Sequence, residues 1–143
     1  MAERRKPSQD QYVVCAGRHL AVEFYYTEDG QVPAEGFYDS RSEDEKRRFL
    51  HIVEHLANQP PGRLLPRAMF NLEDNAEKIF AIKPVAARYL GFFTHDRKFI
   101  ITETYVKQTQ RLGSRERRMV NTAIQRKRDY AERTRRGDYY EQN

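Results

Sequence analysis

Four side chains that could bind or act on an anionic ligand lie in or beside short apolar runs: Lys83, Arg88, Tyr105 and Lys107. Arg88 stands inside an otherwise apolar run, where an unpaired charge is costly, so its head must reach a strand end, a carboxylate or a ligand. Lysines at strand ends also protect sheet edges, and a tyrosine is often half-buried core. A structural role and a functional role therefore both stay open for the other three residues.

The elements around these side chains follow from the spacing of the apolar runs. The runs Ile79–Lys83, Ala87–Thr94 and Phe99–Lys107 are separated by a few punctuating residues, which predicts a three-stranded antiparallel meander. Because side chains alternate along a strand, such a strand can show one face to a core and the other to a ligand.

Upstream of the meander, the sequence predicts strand and helix in turn. Tyr12–Cys15 is a β-prone run, and Leu20–Tyr26 is interpreted as the first strand of the sheet. A short helix is expected within Val32–Asp39. A capping box beginning at Ser42 opens a second helix, which ends before Gln59 and the prolines that follow it.

The remaining segments complete the predicted fold. Arg63–Lys78 has no clear periodicity and is interpreted as a loop. Ser114 is expected to cap a long helix that runs toward Arg136, with Gly137 as its stop. The fold class predicted is α+β, a small antiparallel sheet of about four strands packed against two N-terminal helices and one C-terminal helix.

Length and composition point to one domain. With 143 residues and a net charge of +5, the chain is expected to form a flexible basic arm at 1–11, a domain at 12–137 and a tail at 138–143. No apolar run is long enough for a membrane span or a signal peptide, so a cytoplasmic protein without membrane contact is expected. Cys15 is alone, which excludes an intramolecular disulfide and a cysteine metal cluster.

Metal and cofactor sites are not expected. His51 and His55 lie one turn apart on the second predicted helix, which is the spacing of a two-histidine metal site. The sequence offers no third ligand near them, so they are interpreted as ordinary surface or boundary histidines. His95 is placed at a hairpin tip and is expected to be exposed to solvent.

The charge is unevenly distributed along the chain. Acids outnumber bases between residues 23 and 77, whereas the segment after Arg111 is strongly basic. A basic flank beside a sheet suits RNA or DNA, and its candidate RNA-binding residues are Arg115, Arg118, Arg126 and Lys127. The alternative is a solvated helix with internal ion pairs, such as Arg128 with Glu132 or Asp129 with Arg133.

The order of elements and the basic positions resemble the RelE/ParE toxin superfamily, in particular its phage-derived Gp49-like and HigB-like toxins. In those proteins a strand of the form apolar-x-Glu-apolar-Arg precedes Tyr-Arg-apolar-apolar-Tyr, a turn, an apolar strand ending near Phe-x-Lys-Lys, and a helix. The corresponding pieces here are Ile79–Lys83, Ala87–Phe92, and Ile100–Lys107 followed by Gln108–Gln110. The resemblance covers approximately residues 20 to 130 and implies a RelE-like fold.

This resemblance implies the toxin of a type II toxin–antitoxin system, a ribosome-dependent mRNA endonuclease that needs no metal. Its partners would be mRNA on the ribosome and a cognate antitoxin. The 2′-hydroxyl of RNA would lose its proton and attack the adjacent phosphate, which requires cationic donors, a proton acceptor and a proton donor. Arg88 would hold the phosphate, Lys83 and Lys107 would add charge, and Tyr105 would stack on a base or assist proton transfer.

Some positions depart from the family's residue types. Ala81, Lys83 and Gln108 stand where the family usually has Glu, Arg and a second Lys, whereas Arg88 and Lys107 match. One alternative is therefore a relative that binds nucleic acid, the ribosome or a partner protein without cleavage. Another is inhibition of gyrase, as in the ParE branch. No oligomeric state is predicted.

Overall fold

The computed structural model describes residues 6, 8, 10–60, 65–108 and 113–141. Within these ranges the chain forms one β-sheet of six strands and three helices. In chain order the elements are β1 (Val13–Ala16), β2 (Ala21–Phe24), α1 (Pro33–Asp39), α2 (Glu43–Asn58), β3 (Phe70–Asp74), β4 (Ile79–Ile82), β5 (Ala87–Phe93), β6 (Lys98–Val106) and α3 (Ser114–Arg135).

The sheet is mixed, with strand order β1-β2-β6-β5-β4-β3. β2 and β6 run parallel, and every other neighbouring pair is antiparallel. The predicted small antiparallel sheet of about four strands, packed against two N-terminal helices and one C-terminal helix, is therefore wrong. The fold is α+β with a six-stranded mixed sheet and three helices, because β1 and β3 extend the sheet at its two edges.

The predicted meander is confirmed. β4, β5 and β6 form two antiparallel pairs, in which Ile82 lies opposite Tyr89 and Arg88 lies opposite Tyr105. Gly91 stands at an irregularity in the β5–β6 pairing, directly after Leu90. These three central strands carry most of the side chains that the sequence singles out.

The interpretation of Arg63–Lys78 as a loop is wrong for its centre, which forms β3. Phe70 and Leu72 alternate with Asn71 and Glu73, which is the period of a strand. Because β3 is an edge strand and Leu72 is exposed, its apolar signal is too weak to stand out in the sequence. Residues 61–64 lie outside the described ranges.

The two helices before β3 begin as the sequence predicts. Pro33 occupies the first turn of α1, where its missing N–H costs nothing. The Ser42 hydroxyl accepts a hydrogen bond from the Glu45 backbone N–H at 3.2 Å and caps α2. The Glu45 carboxylate pairs with Arg41, whereas the predicted capping box needs it to reach back to the Ser42 backbone.

The last helix, α3, starts one residue earlier than the sequence predicts. Gly113 occupies the capping position expected for Ser114, and its backbone N–H donates to the Glu116 carboxylate at 3.0 Å. Gly137 has a φ of 74°, so it ends the helix in the left-handed conformation that glycine favours. Beyond it Tyr139 and Tyr140, which fall in the predicted tail at 138–143, are buried.

Each face of the sheet carries its own apolar core. On one face α1 and α2 pack on residues such as Tyr89 and Phe99, and on the other α3 and Tyr139 pack on residues such as Leu90. Within the part of the chain that the structure describes, no helix combines the length and apolar character needed to cross a membrane.

Candidate functional site

The candidate residues of the meander meet at one end of the sheet. Arg88 lies opposite Tyr105 in the β5–β6 pair, and Lys83 directly follows β4. The Lys107 backbone N–H donates to the carbonyl of Ala86 at 2.8 Å, which holds the end of β6 beside the start of β5. The structure thus brings together Lys83, Arg88 and Lys107, with Tyr105 beside them.

The pKa of Lys83 reflects the positive charges that surround it. Burial lowers the pKa of Lys83 below its ordinary value of 10.5, and the positive charges of Arg88, Lys107 and Arg67 lower it further, while Glu73 opposes the shift. Its ammonium group donates to the Arg67 carbonyl at 3.2 Å. We call Lys83, Arg88, Lys107 and Arg67 the cationic cluster.

Arg88 is held without being neutralised. Its Nη1 atom donates to the carbonyl oxygens of Val85 and Ala87, both at 2.9 Å. Among the described residues, neither Arg88 nor Lys107 forms an ion pair with a carboxylate. The positive charge at this end of the sheet is therefore available to an external anion.

Tyr105 packs between the sheet and α3 and is 5% exposed. Burial, followed by the negative charge of Glu73, raises the pKa of Tyr105 to about 12, although Arg88 acts in the opposite direction. At neutral pH its hydroxyl is protonated. Tyr105 can therefore donate a hydrogen bond to a phosphate oxygen, but it cannot serve as the proton acceptor.

Glu73 is the functional candidate that the sequence prediction missed. It lies on β3 at an irregularity in the β3–β4 pairing between Leu72 and Asp74, and such bulges re-aim side chains. Its negative charge acts on both Lys83 and Tyr105, so the carboxylate lies near these two side chains. The alternation of Phe70 and Leu72 with polar residues was the signal that could have revealed this strand.

Ala81 occupies the position compared above with a glutamate of the RelE/ParE toxins. Ala81 is fully buried and lies opposite Asn71 in the β3–β4 pair. A carboxylate at this position would stand in the core between the sheet and α3. In this chain the acidic group near the cluster instead comes from Glu73 on the edge strand.

The predicted RNA-binding residues of α3 divide into two groups. Arg126 donates to the Thr102 carbonyl at 2.6 Å and pairs with Glu103 at 3.4 Å, while Lys127 donates to the carbonyl of Glu77. Arg115 and Arg118 are exposed, and neither has an ion-pair partner among the described residues. The first two residues fasten α3 to the sheet, and the second two face solvent.

The internal ion pairs proposed for α3 form only in part. Arg133 pairs with Asp129 at 2.7 Å, as that alternative expects. Arg128 instead reaches Glu77 at 2.8 Å, beyond its own helix. Much of the basic charge of this helix therefore serves the fold.

None of His51, His55 and His95 belongs to the cationic cluster. The rings of His51 and His55 are 4.5 Å apart on α2, and both residues are exposed, as is His95. Across the described ranges, no three side chains of the types that bind metals come together. The predicted basic arm falls mostly on residues 1–5, 7 and 9, which lie outside those ranges.

Comparison with models of known protein families and with curated proteins finds no match. The site combines the cationic cluster, a protonated tyrosine and the nearby carboxylate of Glu73, and it lies where β4 and β6 end and β5 begins.

Proposed function

We propose that this protein is an endoribonuclease that cleaves mRNA on the ribosome without a metal, as the toxin of a type II toxin–antitoxin pair. The observation that carries the proposal is the cationic cluster, in which Arg88 and Lys107 have no carboxylate partner among the described residues. Concentrated, unneutralised charge is what a phosphodiester and its more highly charged transition state require. The resemblance to the RelE/ParE superfamily supports the same reaction.

Each group of the site would have one task in this reaction. The fork of Arg88 would hold two phosphate oxygens, and Lys83 and Lys107 would stabilise the charge that develops on phosphorus. Glu73 would take the proton of the 2′-hydroxyl as the new O2′–P bond forms. The P–O5′ bond would then break, and the leaving oxygen would gain a proton from solvent, with Tyr105 donating a hydrogen bond to the phosphate.

Binding without cleavage is the second candidate. It is favoured by the raised pKa of Tyr105, about 12, because a group this far from neutral pH is a weak proton-transfer catalyst. In that case the cationic cluster would hold RNA on the ribosome and block it sterically. Either candidate would act in the cytoplasm, and a cognate antitoxin would hold the toxin in check.

Both candidate functions require the cationic cluster to bind RNA on the ribosome. Growth arrest on induced expression tests this requirement. Arg88→Ala should relieve the arrest, because it removes the phosphate fork. Arg128→Ala is the matched control, since Arg128 is exposed and pairs with Glu77 away from the cluster. If both variants are equally toxic and both proteins are present at wild-type levels, the cationic cluster is not responsible for the growth arrest.

A further inference from the structure

A cavity of about 580 Å³ opens beside the cationic cluster, between α2 and the turn formed by Pro84 and Val85. Its volume lies within the range of small-molecule sites. The apolar part of its lining consists of Ile52, Ala68, Met69, Pro84 and Val85, and its polar part of Asp44, Arg47, Arg48, His51 and Lys83. Lys83 belongs both to this lining and to the cationic cluster, so its side chain links the cavity to the cluster.

The charges of the lining favour an anionic ligand. Three cations face one carboxylate, and that carboxylate is already engaged, because Arg48 Nε lies 3.0 Å from Asp44 Oδ2 and Arg47 lies 3.9 Å from Asp44 Oδ1. The apolar surfaces of Met69 and Ile52, together with the exposed ring of His51, are suited to a flat, weakly polar group. A nucleotide combines both kinds of surface.

Val85 provides an independent reason to regard this turn as functional. It has a φ of 58°, a left-handed conformation that is strained for a β-branched residue, and its side chain is 59% exposed. Strain of this kind persists where the surroundings enforce it and often marks a ligand site. Here the same turn supplies the carbonyl that holds Arg88 and an apolar wall of the cavity.

We propose that the cavity is a base pocket, which holds the nucleoside next to the phosphate bound by the cationic cluster. The bound class is a ribonucleotide unit of single-stranded RNA, with its base against Met69, Val85 and the ring of His51. Arg47 would face the following phosphate. This inference rests on the proposed function, in that the phosphate site is the one assigned there.

A titration of the full ¹⁵N-labelled chain with uridine 3′-monophosphate, adenosine 3′-monophosphate and inorganic phosphate tests the base pocket. The nucleotides should shift the amide signals of His51 and Ile52 on α2, whereas inorganic phosphate should shift only signals near Lys83, Arg88 and Lys107 and leave those two unchanged. Nucleotide signals that match those of inorganic phosphate would overturn the pocket and leave the proposed function standing.

A pair of variants sharpens the test. His51→Ala should weaken nucleotide binding about fivefold or more, since base stacking on an aromatic ring contributes this much, and should leave phosphate binding unchanged. His95→Ala is the matched control, because His95 is exposed in the turn between β5 and β6 and is not part of the lining. Equal affinities in both variants would overturn the role of His51. Nucleotide binding in the pocket by a chain that neither binds nor cleaves RNA would support the pocket and refute the proposed function.

Discussion

The behaviour of Lys83 connects the geometry of the site with a measurable pH dependence. Burial and the charges around it disfavour its ammonium form, so its pKa in the folded protein lies below 10.5. An anion on the cluster favours that same charged form. Anion binding at the cluster and protonation of Lys83 are therefore linked.

We expect RNA affinity to fall as the pH rises through the lowered pKa of Lys83, below the range where an ordinary lysine titrates. Lys83→Arg keeps the charge over this range, so its decline should begin at higher pH. The free energy of unfolding of the ligand-free protein should rise over the same window, because the unfolded chain binds more protons than the folded one. Fluorescence anisotropy across neutral and alkaline pH measures the first effect. Identical profiles for the two proteins would contradict it.

At the scale of the elements, the β5–β6 pair depends on close approach of its backbones. A Cβ atom on Gly91 would lie 2.4 Å from the Ile100 carbonyl oxygen and 2.7 Å from the Phe99 ring. Neither neighbour can move freely, since both lie in central strands. An added methyl group at Gly91 would therefore disturb the strand pair that positions Arg88 and Tyr105.

We expect Gly91→Ala to lower the free energy of unfolding by about 1–3 kcal/mol, as over-packing does. Gly36→Ala is the matched control. A Cβ there meets nothing within 4 Å on α1, so the change should stabilise the protein by about 0.5–1 kcal/mol. Denaturant unfolding of both variants measures the difference, and a stable Gly91→Ala protein would show that the sheet can shift locally.

The elements also show what the sequence could and could not predict. The meander and α2 were predictable because their apolar residues recur with a clear period, and Arg88 stood out as a charge within an apolar run. β3 was not predictable in the same way, since an edge strand buries only part of one face. Glu73 was missed with it, and the parallel pairing of β2 with β6 depends on contacts between distant segments that no local pattern encodes.

At the scale of the whole molecule, the basic helix α3 does two different tasks. Arg133 is 4% exposed, donates to the Tyr26 carbonyl and lies over the rings of Tyr26 and Tyr139. It therefore ties α3 to the segment that follows β2 and to the residues after Gly137. Net charge alone does not separate such a residue from one that binds RNA.

We expect Arg133→Ala to lower the free energy of unfolding by about 3–5 kcal/mol, because it leaves the buried Tyr26 carbonyl without its donor and Asp129 without its ion-pair partner. The Tyr25 hydroxyl would still donate to Asp129. Arg135→Ala, which removes an exposed pair with Glu132, should change it by about 1 kcal/mol or less. Thermal and denaturant unfolding compare the two. Similar losses in both variants would contradict a structural role specific to Arg133.

In the proposed reaction the cationic cluster and Glu73 together cleave translated mRNA. Primer extension at codon resolution, on mRNA from a translating extract, tests this cleavage with the wild type, Arg88→Ala and Glu73→Gln. We predict new 5′ ends inside the coding region with the wild type, none with Arg88→Ala, and cleavage slower by about a hundredfold or more with Glu73→Gln, which should still bind RNA. Intact mRNA in the presence of folded, RNA-binding wild-type protein would contradict the claim and select binding without cleavage.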